Sequence, residues 1–203
     1  MEKHKGENKM GKMRFGLLSV VLFYLMAVPG SGENCDCFLK KPLRKNYDKC
    51  RESISTALEK GENIPLISDD KKFEFFLSLL NKRKEYAVKL GFVLYKASDG
   101  ARREDLAVHL GRIINNNPRL ILQLFIDENY SGEDMRGILL NYGDEYVDDL
   151  EKRRKETIKR LESISKIDRK ELVEVKKESL NFLYKFKEKL EKKIVEQNGV
   201  NQK

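Results

Sequence analysis

Apolar residues recur along most of this chain at spacings of three and four, the period of a helix with one buried face, and no alternating run long enough to argue for a strand interrupts them. Pro42 suits the first position of a helix, where its missing N–H is no loss. Leu43, Tyr47, Cys50, Ile54 and Ala57 then share a face until Gly61 stops the run. Ser68-Asp69-Asp70 opens a second helix on Phe73, Phe76, Leu77 and Leu80. The pattern continues through Ala87, Leu90 and Leu94 to Ser98-Asp99-Gly100, and one long helix or two with a break near 81–84 both satisfy it. Within 102–116, Leu106, Leu110, Ile113 and Ile114 fall together. Asn115-Asn116-Asn117-Pro118 ends that helix and starts another on Leu120, Leu124 and Phe125. Ser131-Gly-Glu-Asp134 has the form of a capping box for a short helix ending near Asn141.

From Glu145 onward the helices lengthen. Asp144 is placed to cap a helix carrying Val147, Leu150, Thr157, Leu161 and Ile164 inward. Asp168 with Glu171 is placed to cap a last helix on Leu172, Val175, Phe182, Leu183, Phe186, Leu190 and Ile194. That last helix has room for about 28 residues, or about 42 Å at 1.5 Å per residue. The expected fold is therefore all-α: a compact bundle of short helices over 33–143, compatible with an irregular α-superhelix, followed over 144–203 by a long antiparallel, coiled-coil-like hairpin with a short disordered tail.

The first 32 residues are of another kind. Lys3, Lys5, Lys9, Lys12 and Arg14 precede the apolar stretch Phe15–Val28, and Pro29-Gly-Ser-Gly32 follows it. That is the layout of a secretory signal peptide, with an apolar segment short of the 17 to 25 residues a membrane span needs and small residues before a cleavage after Gly32. An exported protein, periplasmic or extracellular, is the expectation; an N-terminal membrane anchor results if the leader is not cleaved. Glu33 and Asn34 stand where a lipoprotein signal has small apolar residues before its cysteine, which argues against acylation of Cys35. Removing the leader lowers the net charge from +8 to +5, so much of the basic excess is not in the folded part. Charged residues make up 36% of the chain, which calls for wide solvated helix faces.

Export changes the meaning of the three cysteines. Cys35 and Cys37 are poorly placed to bridge each other, and three thiols fall short of a Cys₄ zinc site. Either can instead pair with the inward-facing Cys50 in a structural disulfide, leaving one thiol over. Other chemistry is sparse. His109 lies four residues after Asp105, on the same helix face, but one histidine and one carboxylate do not complete a zinc site. Asp127, Asn129, Ser131 and Gly132 resemble the opening of a calcium loop, yet Ile138 occupies the position of the closing carboxylate, so a capped turn accounts for them better. Around them the chain is strongly acidic from Asp127 to Glu151, with Arg136 the local counter-charge. No cofactor is implied. Phe75 falls off the main stripe of its helix, leaving a second helix or an exposed apolar patch as its surroundings.

The hairpin is rich in cations: Lys152, Arg153, Arg154 and Lys155, then Lys176, Lys177, Lys192 and Lys193. Glutamates are interleaved with them, as in a solvated helix face, and export argues against nucleic acid as a partner. The expectation is a non-enzymatic protein-binding or scaffolding module of a cell envelope. The alternatives are an adaptor for anionic membrane or cell-wall surfaces working through those cations, and a carboxylate-dependent enzyme. The hairpin or the leftover cysteine also offers a route to a homodimer.

Overall fold

The computed structural model describes residues 31–200, so the leader read over 1–30 and the last three residues lie outside the described part. Among the described residues the fold is all-α, with ten helices and no strand. They are α1 (Ser31–Lys40), α2 (Arg44–Lys60), α3 (Pro65–Ser68), α4 (Asp70–Asn81), α5 (Glu85–Ala97), α6 (Gly100–Ile113), α7 (Pro118–Asp127), α8 (Gly132–Leu140), α9 (Leu150–Ser165) and α10 (Val173–Val200). None is long and apolar enough to cross a membrane.

Helix α1 is an element the periodicity reading does not contain. Its apolar content is one turn, Cys35, Phe38 and Leu39, all buried, and it is tied to α2 by a disulfide between Cys35 and Cys50 with 4.7 Å between their Cα atoms. The expected cleavage after Gly32 falls in its first turn. Helix α2 starts two residues after Pro42 rather than on it, and Leu43, expected inward, is the N-cap residue and 61% exposed. Tyr47, Cys50, Ile54 and Ala57 do face inward. Gly61, at φ 66°, closes the helix with its N–H on the Ala57 and Leu58 carbonyls. Only glycine takes that left-handed conformation without steric cost.

The two-helix alternative holds for 70–97. Asp69 caps α4 by accepting from the Lys72 N–H at 3.0 Å, and the polar run 82–84 turns the chain, with Arg83 at φ 53°. Helix α5 is buried on most sides by Ala87, Val88, Leu90, Phe92, Leu94 and Tyr95 and forms the centre of the core. Asn117 caps α7, with Pro118 at its first position, and Ser131 caps α8 through the Asp134 N–H at 3.1 Å.

Two expected caps are not used. Gly143, at φ 93°, leads into a short 3₁₀ turn at Asp144–Tyr146, so the residue that caps α9 is Asp149, accepting from the Lys152 N–H at 2.7 Å. Val147 is consequently exposed. A second 3₁₀ turn at Lys170–Leu172 precedes α10, which is entered from Arg169 without a side-chain cap rather than from Asp168. Helix α10 has the expected 28 residues and runs antiparallel along α9, but it also lies across α8 and α7. The hairpin therefore shares the bundle's core: Leu161, Ile164, Leu172 and Leu183 belong to the same apolar cluster as α4–α8.

Candidate functional site

Inside α9 sits a buried cation. Arg160 is on the stripe of Thr157, Leu161 and Ile164, and its residue is 1% exposed. Its Nη1 donates to the carbonyls of Leu139 at 2.9 Å and Asn141 at 3.1 Å, with Ile138 O at 3.4 Å. These are the carbonyls a helix leaves unpaired at its C-terminus, so Arg160 caps α8 and meets the negative end of its dipole. The guanidinium also lies 4.2 Å from the Tyr142 ring centre, and Glu156 Oε1 is 3.5 Å from its Nε. Asn115 holds the same carboxylate at 2.6 Å. Burial draws the Arg160 pKa down, while Tyr142 and Glu156 oppose that shift.

The close approach requires a glycine. A Cβ at Gly111 of α6 would lie 2.9 Å from Ile138 O and 3.0 Å from both Arg160 Nη1 and Asn141 O. Four helices are thus joined at one point: α6 by Gly111, α8 by its carbonyls, α9 by Arg160, and α10 through Phe186, which stacks on Tyr142 at 5.8 Å. The Tyr142 hydroxyl is paired with Thr157 Oγ1 at 2.8 Å, and burial raises its pKa.

Above this support lies a surface groove between α8 and α10. Two adjoining hollows, of about 490 and 250 Å³, share Arg136, Leu140 and Phe186. Leu140, Tyr142, Phe182 and Phe186 provide an apolar, mostly aromatic lining, and Arg136, Arg153, Lys185 and Lys189 stand along it. Glu133 and Asp144 are the acidic residues of that lining. Such a groove suits a ligand that combines apolar side chains with negative charge. None of these residues was singled out as a site from the sequence, with the exception of Arg153. The legible signal was a cation, Arg160, in register with an apolar stripe.

The residues singled out from the sequence are dispersed. Cys35 and Cys50 form the disulfide, and Cys37 is free and exposed. His109 Nδ1–H donates to Asn81 Oδ1 at 2.7 Å, joining α6 to the end of α4. Among the described residues no three His, Cys, Asp or Glu side chains are grouped to hold a metal. Asp127 accepts from Gln123 at 2.8 Å, Asn129 ends α7 at φ 48°, and Ile138 is in the core, so this stretch is a helix end followed by a cap. Phe75 is 48% exposed. The acidic stretch has more counter-charges than Arg136: Arg51 binds Glu128 at 3.0 Å, Arg103 binds Asp134 at 2.5 Å and Arg112 binds Glu145 at 2.6 Å.

The eight hairpin cations divide between its two ends. Residues 152–155 lie in the first turns of α9 and Lys192 and Lys193 in the last third of α10, toward the base of the hairpin, and Lys176 and Lys177 lie at the turn. Several have partners: Lys152 donates to Glu145 O at 3.4 Å, Arg153 to Tyr146 O at 3.1 Å, and Arg154 pairs with Glu151 at 3.0 Å. Lys176 Nζ caps the end of α9 through Ser165 O at 2.8 Å and Ile167 O at 2.6 Å.

His109 yields a prediction. Its pKa is lowered, by burial first and by Arg112 second, against Asp105, Glu74 and Glu145. A histidine whose folded pKa lies below its unfolded value near 6.5 favours the folded state above that value, and the contribution is lost as pH falls through the folded pKa. Stability should therefore drop on acidification below about pH 6.5, and H109Q should flatten that part of the curve. Urea midpoints at several pH values check it. An identical slope in the variant counts against it.

No family model matches the chain, and no curated protein or solved structure matches it either.

Proposed function

We propose that the chain is an exported, disulfide-braced helical module that binds a protein partner without catalysing a reaction, and that the partner docks in the groove between α8 and α10. The observation that carries this reading is the groove itself: an aromatic lining from Tyr142, Phe182 and Phe186 beside the cations Arg136, Lys185 and Lys189. A partner segment with apolar side chains flanked by Asp or Glu answers that lining. Export is supported by the basic and apolar leader and by the Cys35–Cys50 bridge, a bond typical of oxidising compartments.

A peptide library displayed on phage and selected against the folded chain tests the proposal. Selected peptides should combine acidic and large apolar residues and bind more weakly at high salt. Reversing two exposed rim charges in a Lys185→Glu/Lys189→Glu variant should weaken them roughly tenfold, since two exposed pairs contribute up to about 1 kcal/mol each. Selection of peptides without that composition, or equal binding to the variant, would sink it.

A further inference from the structure

The outward face of α10 carries a second, separate pattern. Val173, Tyr184 and Val195 are 51%, 53% and 70% exposed. Tyr184 lies eleven residues from each valine, and eleven residues are about three helical turns, so the three fall on one line along the helix. Lys177 and Glu191 lie on the same line, each seven residues from Tyr184. Lys185 and Lys189 of the groove are more than a quarter turn round from it.

Charge along this line is divided. At the turn end, a hollow of about 510 Å³ combines Val173, Leu180 and Tyr184 with Arg169 and Lys177. At the base end, a cleft of about 610 Å³ is lined by Asp144, Asp148, Asp149 and Glu151 beside Ile194. The line thus runs from a hollow at the turn, where Arg169, Lys176 and Lys177 outnumber Asp168, to a cleft at the base whose carboxylates stand on the 3₁₀ turn and the start of α9 beside α10.

We propose that this face pairs with the same face of a second copy, antiparallel, about a two-fold axis passing near Tyr184. Reversal about Tyr184 brings Val173 toward Val195 and Lys177 toward Glu191, and brings each copy's basic turn to the other's acidic base. A parallel pairing would set Lys177 against Lys177 and Glu191 against Glu191, which like charges disfavour. The antiparallel contact is self-complementary and closes, as a two-fold interface must. Glu191 is already paired with Lys187 at 2.7 Å, and its carboxylate is shared between the two lysines in the dimer.

The interface is small. A strip from Val173 to Val195, about 33 Å long and about 10 Å wide, covers about 330 Å² per copy, less than half of a standard interface. Association is accordingly weak and reversible, and two symmetry-related charge pairs are enough to decide it.

The test uses the full chain carrying Cys37→Ser, which removes the exposed thiol as a competing route to dimers. Sedimentation equilibrium should show a concentration-dependent dimer. Lys177→Glu or Glu191→Lys alone should weaken it roughly tenfold, because each substitution sets two like-charge contacts, and the double reversal should restore it. In a glutathione buffer Tyr184→Cys should bridge to itself, and Val173→Cys should bridge to Val195→Cys in a mixture of the two. A monomer at every concentration overturns the proposal. So does a Val173→Cys chain that bridges to itself, or a charge reversal without effect.

Discussion

Replacing Arg160 by methionine should destabilise the protein by about 3 to 5 kcal/mol, the usual cost of removing one partner from a buried charged network. Methionine keeps most of the apolar stem but cannot donate. The Leu139 and Asn141 carbonyls then lose their donor at the end of α8, where the helix offers no other and the Leu139 carbonyl is buried. Glu156, held by Asn115, also loses its nearer cation and keeps Lys159 at 4.0 Å. Against a typical total of about 5 to 15 kcal/mol, the loss is a large fraction of what holds the fold. Urea unfolding monitored by circular dichroism measures it.

Glu156→Gln separates the two contributions to that loss. The glutamine carbonyl oxygen can still accept from Asn115, and the α8 carbonyls keep their cap, so the expected cost is smaller than that of Arg160→Met. If the two variants cost the same, the Arg160–Glu156 contact at 3.5 Å matters more than the cap, and the account of Arg160 as a helix terminator is wrong. A loss under about 0.5 kcal/mol for Arg160→Met, within the range of neutral surface changes, would show that the carbonyls find other partners.

The helices were legible where local chemistry specifies them. Asp69, Asn117 and Ser131 each accept from a backbone N–H three residues on, a bond that depends on neighbours in sequence alone. The cap of α9 was misplaced from Asp149 to Asp144 because both are acidic residues before an apolar run, and what separates them is the 3₁₀ turn after Gly143. Helix α1 was missed because its inward face is one turn long, which falls below the length at which periodicity is visible. Arg160 was passed over for a different reason. It lies among Lys152, Arg153, Arg154, Lys155 and Lys159, where a solvated cation is the ordinary reading, and its partners are main-chain carbonyls about twenty residues away. Carbonyls leave no mark in a sequence. The groove shares that difficulty, since Phe182 and Phe186 read as core positions of α10 until α8 is seen to cover only part of them.

Reducing the Cys35–Cys50 bridge should cost about 3 kcal/mol, the chain-entropy value for a loop of about 15 residues. Helix α1 gives that number a structural meaning. Ten residues are too few for a helix stable on its own in water, so α1 persists through its anchorage. That anchorage is the bridge, together with Phe38 and Leu39 buried against the bundle. Freed from α2, the segment pays the whole entropy of docking. Its amides should then exchange faster than those of α5, which lies at the centre of the core. Cys35→Ala/Cys50→Ala and the reduced wild-type chain should lose similar stability, whereas Cys37→Ser, at an exposed position, should stay within about 0.5 kcal/mol of wild type. If α1 detaches before the rest unfolds, exchange rises in 31–40 while the global midpoint moves less than 3 kcal/mol predicts. The chain-entropy account then fails, and the bridge acts as a local clasp. An unchanged midpoint with α1 still protected would mean that Phe38 and Leu39 hold the helix without it.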